Sequence, residues 1–156
     1  MGRFIFLSSG LLVVFLSLSG ADFECPSEWR PFDQHCYRAF DEPKRSADAE
    51  KFCSEQGNSG HLVSIQSKEE ADFVAQLISD NIKSSPDYVW MGLWNQRREQ
   101  YCSRKWTDGS NVIYKNVAER FTKNCFGLEK ETEYRTWLNI LCGDDYPFVC
   151  KFPPRC

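Results

Sequence analysis

The sequence has little with which to hold a metal or move a proton. Its two histidines are His35 and His61, and without any C-x-x-C pair a zinc site has no ligand set. Neither histidine stands beside a serine or a free thiol in a spacing that implies nucleophile and base, and no phosphate-cradling glycine loop is present. The expectation is a non-enzymatic chain with no cofactor and no metal. Past the N-terminal segment, no apolar run approaches the roughly 20 residues that span a bilayer. Excess positive charge is lacking too: the formal net charge is -3, which implies no general attraction to nucleic acid or to an anionic membrane.

What is present begins with an export signal. Arg3 precedes an apolar run from Leu11 to Leu18 and small residues ending Ser19-Gly20-Ala21, which places cleavage after Ala21. The expected mature chain is residues 22–156, a single secreted domain large enough to bury a core. All eight cysteines lie in it: Cys25, Cys36, Cys53, Cys102, Cys125, Cys142, Cys150 and Cys156. In an exported chain they read as a disulfide framework whose 105 possible pairings the spacing alone leaves open.

The core is organised around Tyr88-Val89-Trp90-Met91-Gly92-Leu93-Trp94. Both alternating faces are apolar, as in a strand covered on each side, and Gly92 marks a bulge or a place where another backbone comes close. Residues 22–40, with Cys25 and Cys36, read as an N-terminal hairpin stapled to itself. Ser46 to Gln56 reads as a helix that ends at Gly57, with Ala49, Phe52 and Cys53 on one side. His61 to Ile65 is a short strand. Ser67-Lys68-Glu69-Glu70 is a capping box, and Phe73, Val74, Leu77, Ile78 and Ile82 follow as one buried stripe. Asn95 to Lys105 is polar and basic around Cys102, Asp108-Gly109 is a turn, and Asn111 to Lys123 is the long loop. Cys125–Leu128, Trp137–Cys142 and Pro147–Phe152 are late strands.

Together, Trp90-Met91-Gly92-Leu93, Trp106-Thr107-Asp108-Gly109, Trp137-x-Asn139-x-x-Cys142 and Pro147-Phe148-Val149-Cys150 resemble a C-type lectin domain over residues 25–152. The fold it implies is α+β, two helices packed on antiparallel sheets and stapled by disulfides. His61-Leu62-Val63-Ser64-Ile65, Ala71-Asp72-Phe73-Val74-Ala75-Gln76-Leu77 and the start Asp22-Phe23-Glu24-Cys25 resemble the snake venom C-type lectin-like proteins, the snaclecs, and within them an α-type subunit. The resemblance implies pairs Cys25–Cys36, Cys53–Cys150 and Cys125–Cys142. It leaves Cys102 for a bond to a homologous β subunit and Cys156 for links between heterodimers. It also implies a loop from Ser110 to Lys123, with Tyr114, Val117 and Phe121, that is exchanged with the partner subunit.

Sugar binding in the parent family uses calcium held by a Glu-Pro-Asn or Gln-Pro-Asp loop and a Trp-Asn-Asp strand. No proline stands between Pro86 and Pro147, and Leu138-Asn139 replaces Asn-Asp, so the site is lost. At a second calcium site of some snaclecs, Ser64 and Glu70 match, but Gln66 and Lys151 replace two acids. The expectation is no divalent ion, with the Lys151 ammonium free to pair with Glu70. By resemblance the function is a venom toxin subunit that binds a platelet receptor, glycoprotein Ib or glycoprotein VI in type, and alters platelet aggregation and haemostasis. The alternatives are a coagulation factor IX/X-binding anticoagulant and a calcium-dependent galactose lectin.

Overall fold

The computed structural model describes residues 24–57, 59–98, 101–117 and 122–153, with residues 97–98 and 101–103 described by backbone alone. The expected signal peptide 1–21, Phe121 and Cys156 lie outside the described residues.

The chain opens with a hairpin. Strand β1 (Arg30–Phe32) pairs antiparallel with β2 (His35–Lys44), and the turn between them puts Asp33 and Gln34 at φ 41° and 60°, the left-handed backbone region whose turn matches the right-handed twist of paired strands. Helix α1 (Ser46–Ser54) follows, then β3 (His61–Leu62), α2 (Lys68–Asn81), β4 (Tyr88–Arg98) and β5 (Tyr101–Trp106). After the long loop come β6 (Cys125–Glu129), a short 3-10 turn (Lys130–Thr132), β7 (Trp137–Ile140) and β8 (Tyr146–Phe152).

One sheet holds all of these strands, in the order β1-β2-β8-β4-β6-β7, with β3 on β8 and β5 on β4. The sheet is mixed rather than wholly antiparallel. Strand β4 meets β8 in parallel at Trp90 and Phe148, because β8 returns beside β2 and so runs in the direction of β4. Strand β4 is also longer than its apolar run, continuing through Arg98 as a two-stranded ribbon with β5.

The alternation of β4 divides the core in two. Val89, Met91 and Leu93 face a cluster containing Val74, Leu77 and Ile78 of α2 together with Trp106, Trp137 and Val149. Trp90 faces Ala49 and Cys53 of α1, Phe148 and Cys150, and its indole N–H donates to the Lys44 carbonyl at 2.7 Å. Full burial of side chains of this size is the main driving force for such a fold, at about 1.5–3 kcal/mol each. Trp94 departs from the pattern and is 37% exposed, because the sheet beyond it thins to the ribbon.

Gly92 has the close neighbour that a strand glycine implies. Its N–H donates to the Val63 carbonyl at 2.9 Å and its carbonyl accepts from the Thr107 N–H at 2.8 Å. A Cβ there would lie 2.6 Å from the Leu62 carbonyl oxygen. Helix α1 stops two residues before Gln56, whose N–H donates to the Cys53 carbonyl at 3.0 Å, and Gly57 reverses the chain at φ 70°. Among the described residues, three disulfides join Cys25 to Cys36, Cys53 of α1 to Cys150 of β8, and Cys125 of β6 to Cys142 beyond β7.

Candidate functional site

The sequence left open whether Lys151 would meet Glu70, and the structure brings them together. Tyr37 and Lys151 are directly opposed on β2 and β8, so both side chains leave the same face of the sheet, toward the first turn of α2. Ser67 caps α2 by accepting from the Glu70 N–H at 3.1 Å. Glu70 does not complete the box by reaching back to Ser67. Its Oε2 accepts from the Gln66 N–H at 2.7 Å, and its Oε1 accepts from the Tyr37 hydroxyl at 2.6 Å and from the Lys151 ammonium at 2.6 Å.

Lys151 Nζ also donates to the Ser64 hydroxyl at 3.1 Å and to the Ser64 carbonyl at 3.2 Å, and it lies 5.4 Å from the centre of the Tyr37 ring. The ammonium therefore has three oxygen acceptors and an aromatic face. The pair is buried, with side-chain exposures of 9% and 6%, so it is not a solvent-screened surface ion pair. Two charges out of water are tolerated only when each is also hydrogen-bonded, as here. Burial drives the Tyr37 hydroxyl well above its ordinary acidity range, and the Glu70 charge adds to that, which keeps it a donor.

The donor set does not suit calcium. A hard divalent ion takes six to eight oxygens with enough negative charge to replace its water. Here one carboxylate, one hydroxyl and one carbonyl converge on an ammonium nitrogen that already fills the position. At the sugar site of the parent fold, Leu138 supplies no oxygen, and Asn139 is spent on the chain itself. Its Oδ1 accepts from the Lys123 N–H, and its amide donates to the carbonyls of Lys123 and of Cys125, the latter at 3.2 Å.

The network continues outward to the long loop. The Ser64 hydroxyl donates to Asp108 Oδ2 at 2.5 Å. Asp108 Oδ1 accepts from the Ser110 N–H at 2.8 Å and from its hydroxyl at 2.5 Å, and the Gln66 side-chain amide donates to the Ser110 hydroxyl at 2.7 Å. Desolvation opposes the Asp108 charge, but the bonds from Ser110 and Ser64, with Lys151 nearby, outweigh it and hold the carboxyl below its ordinary value.

Beyond Ser110, Val112, Tyr114 and Val117 pack against this chain's own core. The Tyr114 ring sits 5.7 Å from that of Trp137, Val117 bridges to Trp137, and the Trp137 N–H donates to the Asn116 carbonyl at 2.9 Å. Ile113 is 74% exposed. At the far end Lys123 is held by Asn139 and by the Asn95 side chain, which donates to its carbonyl at 2.7 Å. Cys102 takes the position opposite Arg97 in the β4–β5 ribbon. His61 lies with Nδ1 2.6 Å from Glu50 Oε1, tying β3 to α1. The sequence reading missed Tyr37 and Asp108. Tyr37 had no distinguishing signal, and Asp108 was legible only as a turn residue.

A family model for the lectin C-type domain matches residues 42–152. Snaclec A14 of Macrovipera lebetinus is 76% identical over 155 residues, covering 98% of this chain and 99% of its own. The chain belongs to the snaclecs. Lebecin subunit beta from the same species is 69% identical over 98% of this chain and 99% of its own. The α-type reading accords with the alboaggregin-D alpha subunit of Trimeresurus albolabris, 57% identical over the full length of both chains. Among solved structures, EMS16, described as an antagonist of collagen receptor integrin alpha2beta1, is 54% identical with a TM-score of 0.66, covering 83% of this snaclec and 99% of its own chain. Human lithostathine, at 31% identity, has a TM-score of 0.74 with coverages of 85% and 93%.

Proposed function

We propose that this snaclec is a non-enzymatic, secreted venom toxin subunit that joins a homologous β chain through Cys102, with Cys156 linking heterodimers, and binds a platelet receptor. Cysteine parity carries the reading. Six of the eight cysteines are joined among themselves, and Cys102 and Cys156 are the two that remain. Unbonded thiols on an exported protein are a liability unless they meet another chain.

A second observation supports exchange of the loop from Ser110 to Lys123. The fit to EMS16 is poorer than the fit to lithostathine although the identity is far higher. That reversal is expected if one segment of this single chain sits elsewhere than its counterpart in an assembled snaclec. Val112, Tyr114 and Val117 would then pack on a partner's core as they pack here, since exchange reuses the closed contacts. Linking several heterodimers through Cys156 would present several receptor sites at once.

The test is aggregation of washed platelets by the native complex, with separate blocking antibodies to glycoprotein Ib, glycoprotein VI and integrin alpha2beta1, beside electrophoresis with and without reductant. Altered aggregation relieved by one antibody, and a linked species that reductant splits, is the expected result. Clotting inhibition with no platelet effect would overturn the receptor reading. A disulfide joining Cys102 to Cys156 in a lone active chain would overturn the assembly.

A further inference from the structure

The long loop leaves the domain at Ser110, and the hydrogen bonds at its root are of two kinds, local and long-range. One carboxylate oxygen of Asp108 binds the Ser110 N–H and hydroxyl, two residues on. A local turn needs nothing more. The other oxygen, however, accepts from Ser64, 44 residues earlier in the chain. Gln66 reaches Ser110 over the same separation, and the Gln66 N–H is bound to Glu70. Ser64 in turn is held at both its hydroxyl and its carbonyl by Lys151. Two hydrogen-bonded routes thus run from one buried ammonium–carboxylate pair to the first residue of the loop, one through Ser64 and Asp108 and one through Gln66.

We propose that Asp108 is a positioning residue that couples the Lys151–Glu70 pair to the root of the long loop, so that the direction in which the loop leaves the domain is set from inside the core. Without Ser64, Asp108 could hold Ser110 but could rotate with it as a unit. Anchored through Ser64, its carboxylate has one orientation, and Ser110 inherits it. The consequence for assembly rests on the partner reading above. The coupling itself does not.

Hydrogen exchange on the full-length secreted chain tests the coupling. Asp108→Asn keeps an oxygen for the Ser110 N–H but offers the Ser64 hydroxyl no acceptor, and Ser64→Ala removes the donor. Both variants should speed exchange across residues 110–117 by about tenfold, the counterpart of one lost charge-assisted hydrogen bond, while α2 keeps its protection. Wild-type protection at 110–117 should be the same in calcium chloride and in EDTA. Unchanged exchange in Asp108→Asn would reduce Asp108 to a local turn residue and overturn the proposal, as would a uniform rise across the whole chain or a calcium-dependent change at the loop. Electrophoresis of the same material without reductant separates the two readings. Selective loosening in a chain that never forms a linked species supports the coupling and removes the partner reading.

Discussion

Lys151 Nζ and Glu70 Oε1 lie 2.6 Å apart with both side chains almost wholly out of solvent. Removing one of them leaves the other charged and buried. Lys151→Met should therefore cost about 3–5 kcal/mol, whereas the double change Lys151→Met with Glu70→Leu should cost much less than twice that. Denaturant unfolding of the single and double variants measures the coupling. Equal and additive losses would show that the pair does not act as a unit.

Acid should loosen the loop before it unfolds the domain. The Asp108 carboxyl is held below its ordinary value, so its contribution is present above the unfolded aspartate value of about 4 and is lost as pH falls through the lower folded one. The groups facing it are the hydroxyls of Ser64 and Ser110 and, behind them, Lys151 of β8, Glu70 of α2 and Tyr37 of β2. Exchange at residues 110–117, corrected for intrinsic rates, should rise toward low pH in the wild type, and the difference from Asp108→Asn should vanish there.

Gly92→Ala should be among the most damaging single methyl additions in the chain. The new Cβ would stand 2.6 Å from the Leu62 carbonyl oxygen and 2.6 Å from the Thr107 hydroxyl oxygen, and one of these is backbone that cannot swing aside. A loss of about 3 kcal/mol is expected, read as a fall in melting temperature. Gly109→Ala, where a Cβ meets nothing but the backbone sits at φ 82°, should cost about 1 kcal/mol.

The disulfides should rank by the chain they close. Cys53–Cys150 spans 97 residues and Cys25–Cys36 spans 11. Replacing both members of the longer bridge with alanine should cost about 4 kcal/mol, more than the shorter one. Calorimetry on the two double variants decides the order.

The parts of this molecule that were legible in the sequence are those whose cause is local. The alternation of Val89, Trp90, Met91 and Leu93 foretold a strand with two cores, because β4 does divide them. Ser67 foretold the start of α2, and the small residue at 92 foretold the approach of Val63 and Leu62. What the sequence hid depends on register. That Tyr37 would face Lys151 follows only once β2 is known to pair with β8. That Glu70 would desert its cap follows only once both have arrived. The parallel contact of β4 with β8 was invisible for the same reason, and Trp94 was read as covered because nothing local shows where a sheet ends. Asn139, which marked a missing carboxylate in the sequence, became in the structure the clamp on Lys123.

The ammonium at the heart of this network is covalently part of the polypeptide. A chelator cannot strip it, dilution cannot release it, and the calcium level of the surrounding fluid cannot alter its occupancy. A scaffold organised this way needs no metal ion from its surroundings to complete this corner of the core.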